Sequence, residues 1–404
     1  MMMLRRWAGI ALAGMVLLAP VPAMTQGTYH GRRAWTLQND RIQVIVTPGG
    51  GHIASITLKR GRGANLNPLW LPPWPSIEPN AWSRSDRRYG DPPGAPLLAS
   101  ILGHNLCLDF FGAPSAAEAR AGIPVHGEAP VQNWSATERS ASRLTCSATL
   151  PHAQMRVVRT LTLRPDSTAV WITESVTNLS ALDRPFGWQQ HVTFGPPFLQ
   201  AGATFFDMPA GKGQVYPKEF SKGERLQRGA FFEWPEAPAR DGETVNLRAY
   251  PAGSTKSSDF FACVLDPGRT YVWFTAINTR KGLLCGYLWP RAVWPWMGVW
   301  EENHFRDGAP WRGKALTRGM EFGTTPFPDS RRDAVRQGSL LGTPTYRWIP
   351  ARATQTVGYA AFLAPIPPGT TGVKDVTLQG NVITITLEGV DRTLRLPVAR
   401  PGRS

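Results

Sequence analysis

Glycine and proline punctuate this chain so often, 40 and 37 times in 404 residues, that few uninterrupted stretches are long enough for a stable helix. In a helix interior proline costs about 3 kcal/mol and glycine about 1 kcal/mol, so the segments between these breakers must fold some other way. Many are short runs rich in β-branched and aromatic residues, which read as strands. The clearest are Ile42 to Thr47 (IQVIVT), Ile53 to Leu58 (IASITL), Met155 to Leu163 (MRVVRTLTL), Ala169 to Thr177 (AVWITESVT), Tyr271 to Ile277 (YVWFTAI) and Gln355 to Leu363 (QTVGYAAFL). Three joins have hairpin character. TPGGGH, Thr47 to His52, supplies glycines for positive φ; RPDSTA, Arg164 to Ala169, carries turn-forming Asp and Ser; and Gly380-Asn381 stands at the tip of VTLQGNVITITL, Val376 to Leu387. Alternation in ITITL fits a half-buried sheet face. SAAEARA, Ser115 to Ala121, is the one segment expected to be helical. The pattern predicts an all-β sandwich or barrel, and without an internal repeat or a Pro/Ser-rich linker one large domain is expected.

The first 23 residues, MMMLRRWAGIALAGMVLLAPVPA, carry Arg5 and Arg6, an apolar run from Trp7 to Leu18 and a small-residue exit ending Val21-Pro22-Ala23. That is the form of a bacterial secretory signal, too short to span a bilayer. Residues 1–23 are therefore expected to be a signal peptide and the mature protein to be exported, periplasmic or secreted; the choice between the general and twin-arginine routes stays open. No later segment is long and apolar enough to span, so stable membrane insertion is not expected. Lys and Arg number 44 against 29 Asp and Glu, a formal charge of +15 that falls to about +13 without the signal. The positive charge is scattered in RR, RK and KR pairs and forms no stripe, which argues against nucleic acid as a partner; an anionic glycan or an acidic surface explains it as well. Cys107, Cys146, Cys263 and Cys285 have neither C-x-x-C spacing nor histidines at ligand intervals, so no metal site is expected. They allow three disulfide pairings, or buried free thiols.

The P-loop, the dinucleotide glycine motif, G-x-S-x-G and H-E-x-x-H are all missing. Seven histidines remain, of which His30, His52 and His152 are expected at the surface. His126 stands in GIPVHGEAPVQNW, where Gly127 lets the backbone approach a neighbour and Trp134 offers an aromatic face, and His191 stands in FGWQQHVTFGPPFL, on an aromatic-rich strand. One carboxylate, Glu321, lies between Met320 and Phe322 in RGMEFGTTPFPD. It is either an outward strand residue paired with Arg318 or a group with chemistry to perform. Two irregular stretches, Pro68 to Trp82 with Tyr89 to Pro96, and Ala210 to Glu224, are long loops of the kind that build binding surfaces on a rigid β scaffold, or else mere padding.

The order of LQNDRIQVIVTPGGGHIASITLKRG, HGEAPVQNW, RTLTLRPDSTAVWITESVTNLSALDRPFGWQQHVTF and RGMEFGTTPFPDS resembles the galactose mutarotase-like, or aldose 1-epimerase, superfamily, in the manner of its divergent members and over most of the mature chain. The resemblance implies a β-supersandwich, one domain over residues 28–398, with a sugar-binding cleft across one sheet. It carries the family's first histidine to His126, the second to His191 and a late-strand glutamate to Glu321, with Asn178 as a hairpin turn residue. The family's HGG is HGE here, the second-histidine motif reads QQHVTF, and the arginine that helps hold the sugar has no evident counterpart. ILGHNLCLDFFG occupies that region and brings forward His104, Asn105 and Asp109 as pocket residues.

The activity implied is that of an exported aldose 1-epimerase-like isomerase, a mutarotase, acting on a mono- or oligosaccharide without a cofactor. Glu321 would be the base that takes the C1 hydroxyl proton, His191 the acid that protonates the ring oxygen, and His126 a group that polarises or orients that oxygen. In YLWPRAVWPWMGVWEENHF, Tyr287 to Phe305, Trp300 is expected to stack on sugar C–H faces while Trp289, Trp294 and Trp296 pack in the core. Glu301, Glu302 or His304 would bond hydroxyls. Two other readings stay open: a non-catalytic carbohydrate-binding protein on the same fold, and a different carbohydrate-active enzyme acting on an acidic polysaccharide, which the basic charge suggests.

Overall fold

A computed structural model of the chain describes residues 25–250 and 256–400; the expected signal at residues 1–23 lies outside them. Two antiparallel sheets hold most of the strand residues. The larger runs, neighbour by neighbour, through Thr25–Tyr29, Arg32–Gln38, Ile42–Val46, Ile53–Leu58, His104–Asp109, Arg184–Phe194, Leu316–Gly323, Trp296–Asn303, Ser257–Leu265 and Ala210–Val215 to three short edge strands. The second runs through Thr204–Asp207, Tyr271–Asn278, Leu283–Pro290, Thr354–Pro365, Ala169–Asn178, Met155–Leu163, Arg143–Leu150 and Ser135–Arg139. The result is a single large all-β domain, a supersandwich.

Side chains alternate across a strand, and here the central strands of each sheet are covered on both faces. From Ala169–Asn178, Val170, Ile172 and Val176 enter the core between the sheets, while Ala169 and Trp171 pack outward. Their outward partners are Val376, Ile383 and Ile385, from a three-stranded sheet made by Gly372–Gln379, Val382–Glu388 and Thr393–Pro397. Each fully buried apolar side chain of this kind contributes about 1.5–3 kcal/mol. The outer face of the large sheet carries another apolar cluster in which Phe260 and Trp300 meet Trp70, Trp74 and Trp311. Trp70 stacks on Trp311 at 6.1 Å between ring centroids, and Trp74 meets Trp311 edge-on at 4.9 Å. The irregular Pro68 to Pro96 stretch thus lies over the face that carries the cleft.

All six strand segments and the three hairpins expected from sequence are present. The Ser115 helix spans Ala116–Arg120, closed by a capping box between Ser115 and Glu118. Two more helices, Ala95–Ser100 and Arg331–Gln337, were not expected: each is about two turns or fewer, too short for a periodic signal. Part of the glycine-rich Ala210 to Glu224 segment is a bulged strand paired on both sides, Ala210–Val215, rather than loop. His52 is buried, not superficial, with Nε2 3.0 Å from the Pro130 carbonyl oxygen. All four cysteines are buried free thiols.

Candidate active site

The site is built on a row of cross-strand neighbours. Arg184–Phe194 and Leu316–Gly323 pair antiparallel with His191 opposite Glu321, and Asn105 continues the row on the other side of His191. Directly opposed residues share a sheet face with Cβ atoms about 5 Å apart. Nε2 of His191 consequently stands 2.9 Å from Oε1 of Glu321. The ring nitrogen is not aligned for a hydrogen bond, and among the described residues the buried Glu321 Oε1 has no hydrogen-bond partner. Nδ1 of His191 lies 3.0 Å from the Thr193 hydroxyl oxygen, two residues along the same face. Pairing of Glu321 with Arg318 is excluded by parity: Arg318 points to the inter-sheet side, where its guanidinium donates to the Leu247 carbonyl.

His126 reaches the same place from a loop. Its φ is 67° and that of Gly127 is 75°, two consecutive left-handed residues that fold the loop against the His104–Asp109 strand. Only glycine fits at 127, because a Cβ there would stand 2.1 Å from the Leu108 carbonyl oxygen. The His126 ring centroid lies 5.1 Å from that of His191, and Nδ1–H donates to the Phe111 carbonyl. Burial, reinforced by the neighbouring His191, pulls the His126 pKa down to about 3. The ring is therefore neutral, and Nε2 is available as an acceptor rather than a donor.

These three side chains open into a cavity of about 330 Å³ whose walls include Trp300, Trp311, Phe260 and Tyr216. Trp300 is the only one of the four tryptophans of Tyr287 to Phe305 on this wall; Trp289 and Trp294 pack in the core between the sheets, and Trp296 donates Nε1–H to the Pro344 carbonyl. Trp300 Nε1 is buried without a partner. Both irregular stretches contribute, through Gly94 on one side and Glu219 and Phe220 on the other. Sequence reasoning missed Arg306. Its guanidinium lies over the rings of Phe220, Trp300 and Trp311 at 5.4, 5.5 and 5.0 Å, Nε is 3.2 Å from Glu302 Oε2, and the side chain remains 32% exposed, toward the cavity. Glu302 is also anchored by the backbone N–H groups of Phe305 and Arg306 at 2.8 and 2.9 Å. Burial lowers the Arg306 pKa, and the carboxylates of Glu302 and Glu321 oppose that fall. No sequence signal marked it: it sits in an irregular loop beyond the tryptophan strand.

Several expected pocket residues lie elsewhere. His104 faces the core between the sheets, with Nε2 2.9 Å from Gln190 Oε1 and Nδ1 3.3 Å from the Tyr287 hydroxyl; burial lowers its pKa to about 3. Gln190 in turn donates to Glu174 at 2.8 Å, and Glu174 is ion-paired with Arg159 at 2.7 Å, so His104 belongs to a polar network behind the His191 strand. Glu301 also points inward, 3.4 Å from Arg318 and in contact with Arg225. His304 turns away at a φ of 56°, its Nδ1 3.0 Å from the Gly313 carbonyl oxygen. Asp109 pairs with Arg184 and Arg331. Asn105 shares the cleft face, with Nδ2 buried and without a partner among the described residues, but it is not part of the cavity lining. Strand parity separates these residues: moving one position along a strand exchanges the faces.

A supersandwich of this topology is similar in fold to solved structures described as galactose mutarotase related or aldose 1-epimerase proteins. A candidate aldose 1-epimerase from Klebsiella pneumoniae matches 82% of this chain and 79% of its own length with a TM-score of 0.60 at 15% identity. A candidate aldose 1-epimerase from Escherichia coli matches 82% of this chain and 99% of its own with a TM-score of 0.53 at 15% identity. A galactose mutarotase related enzyme from Lactobacillus acidophilus matches 83% and 99% with a TM-score of 0.51 at 11% identity. At such identities the likeness is one of fold. No protein-family profile and no curated protein matches the sequence.

Proposed function

We propose that this chain is an exported aldose 1-epimerase-like enzyme that interconverts the anomers of a sugar by acid–base ring opening. The observation that carries the reading is the side-by-side placement of His191 Nε2 and Glu321 Oε1, 2.9 Å apart at the edge of an aromatic-walled cavity. In a cyclic hemiacetal the C1 hydroxyl oxygen and the ring oxygen are bonded to the same carbon, so the base serving one and the acid serving the other must also be neighbours. Glu321 takes the hydroxyl proton while His191, as imidazolium with Nδ1–H donating to Thr193, delivers the Nε2 proton to the ring oxygen as its bond to C1 breaks. Rotation about C1–C2 and the reverse transfers close the other anomer. His126 accepts from a hydroxyl through Nε2, and Trp300 offers an aromatic face to the C–H side of the ring. General acid–base catalysis requires each proton to move over hydrogen-bond distance, and two groups 2.9 Å apart can serve two oxygens on one carbon.

The test is exchange between α and β anomers followed by NMR for a panel of aldoses and uronic acids, with wild type and Glu321→Gln in parallel. Acceleration that the substitution abolishes supports the reading. Line broadening that reports binding, with no acceleration for any sugar, would replace it with carbohydrate binding on the same fold.

A further inference from the structure

A second groove lies on the same face of the large sheet. Phe260 lines the cavity described above and Val264 lines the groove; they lie on one strand, Ser257–Leu265, four residues and so about 13 Å apart. The groove holds about 740 Å³ and shares no lining residue with that cavity. Its walls include Arg291, Arg347, Tyr346, Trp348, Pro295 and Pro344, and no acidic side chain. Trp348 is 55% exposed and meets Tyr346 edge-on at 6.0 Å. Its strand, Arg347–Ile349, is held by pairing with Arg184 to Phe186, so the exposed indole is mounted on rigid structure.

The two arginines differ from others near them. Arg225, Arg248, Arg269, Arg306 and Arg318 each have a carboxylate within ion-pair distance. Arg291 and Arg347 have none among the described residues. Arg347 spends Nη1 on the carbonyls of Ala292 and Val293, at 2.7 and 2.9 Å, which orients its fork. Burial lowers its pKa and no carboxylate opposes the change. A half-buried guanidinium lacking a counter-charge is a site where an anion adds a charge-assisted hydrogen bond. Beyond Val264, Pro267 and Leu341 the groove meets a hollow of about 750 Å³ whose walls carry Asp207, Glu233, Asp266 and Glu388, so the basic groove ends there.

We infer that this groove binds an acidic polysaccharide chain, with sugar faces stacked on Trp348 and carboxylate or sulfate groups held by Arg291 and Arg347. Two separate cations beside one exposed indole, with no continuous basic stripe, argue against nucleic acid and fit a glycan whose ring faces stack on Trp348. The site works independently of the chemistry assigned to Glu321.

Calorimetric titration tests it, using oligogalacturonate, a heparin oligosaccharide, neutral malto-oligosaccharide and poly(dT) as probes. At least one of the two acidic glycans is expected to bind, and which one identifies the anion. The neutral glycan is expected to bind at least about tenfold more weakly. Trp348→Ala and Arg291→Ser/Arg347→Ser are each expected to weaken acidic-glycan binding by about tenfold or more. Glu321→Gln and Arg60→Ser/Arg62→Ser, the latter removing equal charge from another exposed surface, should leave it unchanged. Because Arg347 also ties down two carbonyls, Trp348→Ala and Arg291→Ser alone carry the test if the double variant does not fold. The inference falls if neither acidic glycan binds, if the neutral glycan or poly(dT) binds as tightly, if the Arg60/Arg62 variant loses as much, or if Glu321→Gln abolishes binding.

Discussion

Gly319→Ala offers a test of the mechanism that leaves every reacting group in the molecule. Gly319 lies two residues before Glu321 on the same strand, and the carboxylate folds back over it: a Cβ at 319 would stand 2.3 Å from Glu321 Oε1. Restoring ordinary contact at 3.4 Å moves that oxygen by about 1.1 Å from the position in which it stands 2.9 Å from His191. A misplacement of about 1 Å costs about 10²-fold in rate, equivalent to about 2.7 kcal/mol of transition-state stabilisation. Gly319 is not among the positive-φ glycines, so alanine suits the backbone and the fold should hold. The assay is anomer exchange by NMR, with urea unfolding alongside. The expected result is a fall in kcat/KM of about two orders of magnitude, with unfolding free energy changed by less than about 1 kcal/mol. Wild-type exchange in a folded variant would refute the idea that the position of Glu321 Oε1 matters to the chemistry.

Arg306→Met removes a cation stacked among three aromatic rings at the cavity wall; KM should rise about tenfold with kcat nearly unchanged, the pattern of lost uniform binding, and steady-state kinetics separates the two. Glu174→Gln leaves Arg159, fully buried beside it, without its counter-charge, and urea unfolding should report a loss of about 3–5 kcal/mol. His104 and His126 both have pKa values lowered to about 3 in the folded chain, and that of His52 lies well below its ordinary value. The unfolded chain therefore binds protons that the folded chain refuses as pH falls from about 6.5 towards 3, and each such histidine removes about 1.4 kcal/mol of stability per pH unit within that window. Replacing His126 with Gln should flatten the acid limb of the stability profile by about that slope, measured by denaturant unfolding across the range.

Much of the architecture was legible in the sequence because hairpins are local. TPGGGH and RPDSTA join strands only a few residues apart, and the alternation that signals a strand is a property of consecutive residues. Helices as short as Ala95–Ser100, and a strand as rich in glycine as Ala210–Val215, leave too weak a periodic trace to be recognised. The chemistry-bearing types were legible too: His126, His191 and Glu321 were singled out by motif order. Their meeting depends on register between strands 130 residues apart in sequence, where His191 and Glu321 occupy one cross-strand row.

Which neighbours join them was decided by tertiary structure alone. His104 and Asn105 are adjacent in sequence yet face opposite sides of the sheet; so are Glu301, buried against Arg318, and Glu302, which anchors Arg306. A residue's face follows from the pairing and bulges of the whole sheet, and a shift of one position reverses it. Arg306 carries no periodic signal, because its place over Phe220, Trp300 and Trp311 arises from a loop folding back across three separate segments. An all-β chain, and His126, His191 and Glu321 as candidates, follow from the sequence alone. Only the folded sheets, by bringing distant strands into one register, decided which of those residues share a cavity.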